Sequence, residues 1–129
     1  MKRREVDISQ KDGRFQVLLA REPLPLDLAE VAREANYQMP AICERIGTSE
    51  RHLRRLFMEG LGIAPKDWLK QQRMVAARYM LRSGASVKEV AFDLGFTNAK
   101  MLSRDFVEFY GVRPTEFQRK EAERIHNSL

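Results

Sequence analysis

From Asp27 onward the apolar positions recur every three or four residues, the period of helices buried on one face. Leu28, Val31, Ala32 and Ala35 form the first such stripe, and Asp27 with Glu30 has the spacing of a capping box. The stripe predicts a helix ending near Tyr37, because the residue before Pro40 is biased away from helical backbone. Pro40 suits the first turn of the next helix, AICERI, which Gly47 ends. Thr48 or Ser49 caps a third helix to about Gly60, with Leu53, Leu56 and Phe57 as its core face. Gly62 stops it, and Pro65 opens a long helix, PKDWLKQQRMVAARYMLRS. Its apolar-leaning stripe is Trp68/Leu69, Gln72, Val75/Ala76 and Tyr79/Met80. Gly84 ends that helix. Ser86 caps VKEVAFDL, with Glu89 completing a second capping box, and Gly95 stops it. Thr97 or Asn98 caps a helix to about Tyr110, Gly111 ends it, and Pro114 opens the last, PTEFQRKEAERI. The pattern predicts seven helices and no strong strand after residue 25.

The first 25 residues differ. VDIS and RFQVLL flank QKDG, and Asp12-Gly13 is a hairpin-type turn dipeptide. A short β-hairpin is the expectation, with an extended tail as its rival. REPLPL then breaks regular structure. The resulting division is 1–25 as an N-terminal extension, 26–64 as a first helix-turn-helix subdomain, 65–84 as a linker helix and 85–126 as a second subdomain.

The two subdomains follow from an internal repeat. HLRRLFMEGLGIAP (52–65) and MLSRDFVEFYGVRP (101–114) are identical at six of fourteen positions: Leu53/Leu102, Arg55/Arg104, Phe57/Phe106, Glu59/Glu108, Gly62/Gly111 and Pro65/Pro114. ICERIG (42–47) parallels VAFDLG (90–95), with Phe96 as an extra residue in the second copy, and Trp68 parallels Phe117. Each copy reads as a short bracing helix, a Gly-containing turn, a capped second helix, a Gly stop and a Pro restart, which is the helix-turn-helix plan. In that plan the second helix enters the DNA major groove.

The repeated positions divide by role. Leu53/Phe57 and Leu102/Phe106 sit four apart and anchor each second helix. Arg51, Arg54 and Arg55 fall on the other side in the first copy, and Lys100, Ser103 and Arg104 in the second. Arginine can grip guanine O6 and N7 with two hydrogen bonds. Helix N-termini capped at Ser49 and Thr97, with His52 and Asn98 beside them, can meet phosphate. An arginine run on one helix more often only solvates it, and Glu59 and Glu108 lie within ion-pair spacing of Arg55 and Arg104. Duplication of the whole frame favours DNA. The long helix, about 19 residues at ~1.5 Å each, spans roughly 28 Å. With its flanking turns it approaches the ~34 Å between successive major-groove segments.

Composition narrows the class further. The net charge of +5 and pI of about 9.7 are compatible with nucleic acid. Cys43 is the single cysteine, no apolar run approaches a membrane span, and MKRREVDISQ lacks a secretory core, so a cytoplasmic protein is expected. His52, His126 and Cys43 have no spacing for a metal site or a nucleophile pair. No enzyme, no cofactor and no small-molecule ligand is expected.

The pattern L-x-R-x-F followed by G-[IV]-x-P in both halves, the stretch SVKEVAFDLGFTNAKMLSRDFVEFYGVRPTEFQ and the linker WLKQQRMVAARYML resemble the AraC/XylS family of bacterial transcription regulators. The resemblance covers about residues 27–120. It implies an all-α fold of seven helices in two helix-turn-helix subdomains joined by the long central helix. It also implies promoter binding in two adjacent major-groove segments, usually for activation, with RNA polymerase as the expected protein partner. Carried over by position, Arg51, Arg54 and Arg55 would serve the first recognition helix (about 49–60), and Ala99, Lys100, Ser103 and Arg104 the second (about 97–110). The stretch from Tyr37 to Ile46 is short for the family and contains Pro40, so a short or oddly placed first bracing helix is expected. Ala99 offers no polar group. Residues 49–60 carry three arginines against two glutamates, and 97–110 two basic against two acidic residues, which favours the first helix for electrostatic affinity. Many members carry a larger sensing domain, so the chain is read as a small stand-alone regulator or a fragment. The rival function is a helical module that docks on a protein such as RNA polymerase without reading DNA, through Leu28/Val31 and the final helix.

Overall fold

A computed structural model describes residues 6–22 and 24–128. The chain divides into two compact units, Met1–Gln72 and Arg73–Leu129.

The first unit opens with the hairpin, β1 (Val6–Lys11) and β2 (Arg14–Leu19), paired antiparallel with Ile8 opposite Val17. Asp12 and Gly13 both take positive φ, 52° and 78°, as a two-residue hairpin turn requires. A strand of two residues, β3 (Leu26–Asp27), adds to β2, which the sequence pattern did not foresee because two residues show no period. Val6, Ile8, Val17 and Leu19 alternate onto one face, and that face is buried in the core of the helices that follow. The expected extension is, over its described residues, part of this unit's core rather than a tail.

Asp27 accepts from the Ala29 N–H at 3.0 Å and starts α1 (Leu28–Glu34). Its carboxylate caps as expected, while Glu30 turns to Arg33 at 3.7 Å. The helix stops three residues short of Tyr37. Asn36 and Tyr37 take left-handed φ of 51° and 59°, and the Tyr37 N–H reaches back to the Ala32 carbonyl at 2.8 Å. Pro40 sits in the first turn of α2 (Met39–Ile46), and left-handed Gly47 ends it. Ser49, not Thr48, caps α3 (Glu50–Leu61), accepting from the His52 N–H at 3.1 Å. Leu53, Leu56 and Phe57 are buried as the spacing predicts.

The long helix, α4 (Pro65–Arg82), contains the boundary between the units. Trp68 and Leu69 belong to the first core. Beyond Gln72 the expected stripe fails: Val75 and Tyr79 are 58% and 71% exposed, and the buried residues are Met74, Ala77 and Leu81. One helix serves two cores in turn, so a single stripe drawn along its length cannot hold.

In the second unit Ser86 and Glu89 close a reciprocal capping box on α5 (Val87–Asp93). Asn98 caps α6 (Ala99–Tyr110), accepting from the Met101 N–H at 2.9 Å. Of the two expected caps, Thr97 or Asn98, it is Asn98 that serves, and Thr97 lies one residue outside. Gly111 closes α6 in the left-handed region, and Pro114 opens α7 (Pro114–Asn127). Val90, Leu94, Leu102 and Phe106 are buried in this unit, as are Met74, Ala77 and Leu81 of α4. Phe96, the extra residue of the second copy, lies beneath the Arg73 guanidinium at 3.5 Å, and Arg73 donates to the Leu94 carbonyl at 3.0 Å. Among the described residues no helix is long and apolar enough to cross a membrane.

Candidate nucleic-acid interface

In α3 the anchoring residues and the cationic residues separate cleanly. Leu53, Leu56 and Phe57 are almost wholly buried, while Arg51, Arg54 and Arg55 are exposed. Arg51 and Arg55 are four apart and share one outward face. The Arg55 Nη2 lies 2.8 Å from the His52 Nδ1, one turn back. Ser49, Arg51, His52 and Arg55 line an open recess of about 310 Å³ at the helix start. Backbone N–H groups and the positive end of the helix dipole add to that cationic surface.

The second copy repeats the frame with different chemistry. Leu102 and Phe106 are buried and Lys100 and Arg104 exposed, while Ala99 and Ser103 are half-buried. Arg104 Nε lies 3.6 Å from the carboxylate of Asp105. A carboxylate beside the repeated arginine offsets its charge, whereas the contact of Arg55 is with an imidazole. Asn98, not Thr97, caps the helix start.

The structure brings Ser49, Arg51, His52 and Arg55 together at one helix start. Two features went unread in the sequence. His52 contacts Arg55 itself, a pairing visible only as a three-residue spacing. Met58 and Val107 occupy the same position of the repeat and are 53% and 40% exposed beside the outward cations. The Leu28/Val31 part of the docking surface expected for the rival function is corrected, because these residues are 0% and 4% exposed and belong to the core. Among the described residues no group of three or more His, Cys, Asp or Glu is placed to hold a metal ion. Cys43 is buried; desolvation, with the Glu50 charge adding to it, pushes its thiol above the ordinary range.

A family described as "Helix-turn-helix domain" matches residues 42–120, more than half of the 129-residue chain. The chain belongs to the AraC-type helix-turn-helix family. The AraC-type match takes in α2 through most of α7, so both copies of the repeat lie inside it. The chain is similar to the HTH-type transcriptional activator RhaR of Salmonella dublin, 28% identical over 86 residues that make up 66% of this chain and 30% of that protein. It is similar to the HTH-type transcriptional regulator GlxA of Rhizobium meliloti, 31% identical over 96 residues, 74% of this chain and 30% of the other. Among solved structures it is similar to the DNA-binding domain of AdpA, a global transcriptional factor, in complex with a target DNA. That match has 30% identity and a TM-score of 0.63, covering 75% of this chain and 94% of the AdpA domain. The chain spans about 30% of the length of these curated relatives.

Proposed function

We propose that this chain binds double-stranded DNA sequence-specifically and regulates transcription, with α3 and α6 entering adjacent major-groove segments of a promoter. It acts in the cytoplasm as an activator, with RNA polymerase as its protein partner. The observation that carries the reading is the outward face of α3, where Arg51, Arg54 and Arg55 project opposite a fully buried anchor. The DNA-bound AdpA domain and the activator RhaR support it by similarity. Arg51, Arg54, Arg55, Lys100, Ser103 and Arg104 contact bases, Ala99 packs against the groove, and Ser49, His52, Thr97 and Asn98 approach the phosphates. Arg55 and Arg104 are the paired readers, and the Asp105 carboxylate makes Arg104 the weaker of the two.

Selection of bound duplexes from random DNA, followed by titration at rising salt, tests the reading. Two spaced half-sites are expected, and affinity falls steeply between about 50 and 200 mM salt as phosphate-bound counterions return. Arg55→Ala reduces preference for the selected site. Lys120→Ala, whose amine faces Glu116 at 3.2 Å on the last helix, leaves it nearly unchanged. Salt-independent binding, or equal small effects of the two variants, overturns the assignment.

A further inference from the structure

We propose that His52 is a specificity-determining residue of the first recognition helix, a positioning residue that aims the Arg55 guanidinium at its base. This inference rests on the DNA-binding reading above. The geometry comes first: Arg55 Nη2 and His52 Nδ1 are 2.8 Å apart, the distance of a true hydrogen bond. A guanidinium carries donors only, so Nδ1 must be the acceptor. Nδ1 thus faces the fork as an acceptor. The imidazole fixes the direction of the fork without cancelling its charge. An exposed arginine otherwise samples many rotamers, and ordering it on DNA costs entropy that this contact has already met.

The internal repeat supplies the comparison. The residue equivalent to His52 in the second copy is Met101, whose side chain has no comparable acceptor. There the repeated arginine, Arg104, leans on the Asp105 carboxylate at 3.6 Å. The residue equivalent to Asp105 in the first copy is the buried Leu56. The two copies thus hold the same arginine by opposite means. One meets an imidazole nitrogen and the other a carboxylate. Base discrimination is therefore concentrated at the half-site read by α3, and His52 is a reason for that bias.

The experiment uses the full chain with its selected site and with duplexes altered at one base pair at a time. His52→Met, which installs the second copy's residue, lowers discrimination at the base pair read by Arg55 about three- to tenfold. Affinity for unrelated DNA falls by less than the loss at that one base pair, and the melting temperature stays close to the parent. His52→Gln, whose amide oxygen can accept from Arg55, recovers part of the discrimination. A merely structural role would shift the melting temperature and all duplexes together. A phosphate-only role would weaken every duplex equally and lower the salt slope. Either result overturns the inference. Arg55→Ala separates the two levels. If it lowers discrimination at one base pair while His52→Met does not, His52 has no positioning role and the DNA-binding reading stands. If Arg55→Ala itself lacks that effect, both fall.

Discussion

Phe57 and Trp68 meet edge-on, 5.7 Å between ring centroids, and the same pair recurs in the second unit as Phe106 and Phe117, also at 5.7 Å. In each copy the recognition helix is pinned to the helix that begins at the following proline. Trp68→Phe would install the second copy's ring pair in the first. Because Trp68 is 3% exposed and fills more volume than phenylalanine, we expect that variant to lose about 1–2 kcal/mol. Phe57→Ala should lose about 3–5 kcal/mol. Urea unfolding measures both, and a neutral Phe57→Ala would mean that α3 is not held by this contact.

The helix starts give a finer test. Asn98 Oδ1 accepts from Met101 N–H, and Thr97 lies one residue outside. Asn98→Ala should cost about 1 kcal/mol, and Thr97→Ala less than about 0.5 kcal/mol. Thermal melts of the two variants decide between the positions, and the reverse ranking would move the cap.

Gly60 lies on α3 where a Cβ would sit 3.1 Å from the Ile8 carbonyl oxygen of β1. Helix propensity favours alanine there by about 1 kcal/mol, and the close backbone opposes it. Gly60→Ala is expected to change stability by less than about 0.5 kcal/mol, and Gly60→Val to lower it by about 2 kcal/mol or more. A full propensity gain in the alanine variant would show that the hairpin does not rest on the recognition helix.

Cys43 carries a pH dependence. Burial, with Glu50 adding to it, raises its thiol above the ordinary range. A folded-state value above the unfolded one means that the folded state holds the proton more tightly. That stabilisation is complete below the unfolded value and is lost as pH rises through the folded one. Denaturation at pH 7 and at strongly alkaline pH should therefore show a decline that is smaller in Cys43→Ala. Alkylation of the native thiol at pH 8 should run at least about tenfold slower than after unfolding. Equal alkylation rates would place the thiol at the surface.

Arg104 and Asp105 predict a gain. Asp105→Asn removes the carboxylate 3.6 Å from Arg104 and adds one net positive charge to α6. Affinity for any duplex at moderate salt should rise about two- to fivefold, with a steeper salt slope. Unchanged affinity would mean that α6 stays away from the phosphates.

A repeat of two frames was legible because anchors, glycine stops and proline restarts are local requirements. Leu53, Phe57, Leu102 and Phe106 fall at helical spacing and are buried. Gly47, Gly62 and Gly111 stand where left-handed backbone ends a helix. Asp12-Gly13 specifies its turn in the same local way. The outward cations of α3 and α6 followed from the anchors, since a helix held on one side exposes the other.

Other features needed the folded chain. The hairpin's apolar face shows alternation in the sequence, yet only the packed unit reveals that it covers the helices. Gly60 reads as a helix end and is instead a close approach to Ile8. The stripe along α4 breaks between Leu69 and Met74 because burial is set by which core is near, and that is a long-range property. Which of Thr97 and Asn98 caps α6 depends on one backbone turn. The contact that separates Arg55 from Arg104 is local, yet residue types alone do not show it. His52 and Asp105 are ordinary neighbours in sequence, and side-chain direction on the folded helix decides that each meets its arginine. The sequence determined where helices start, stop and anchor, since those are short-range steric and hydrogen-bonding demands. Packing determined what each exposed or buried side chain touches.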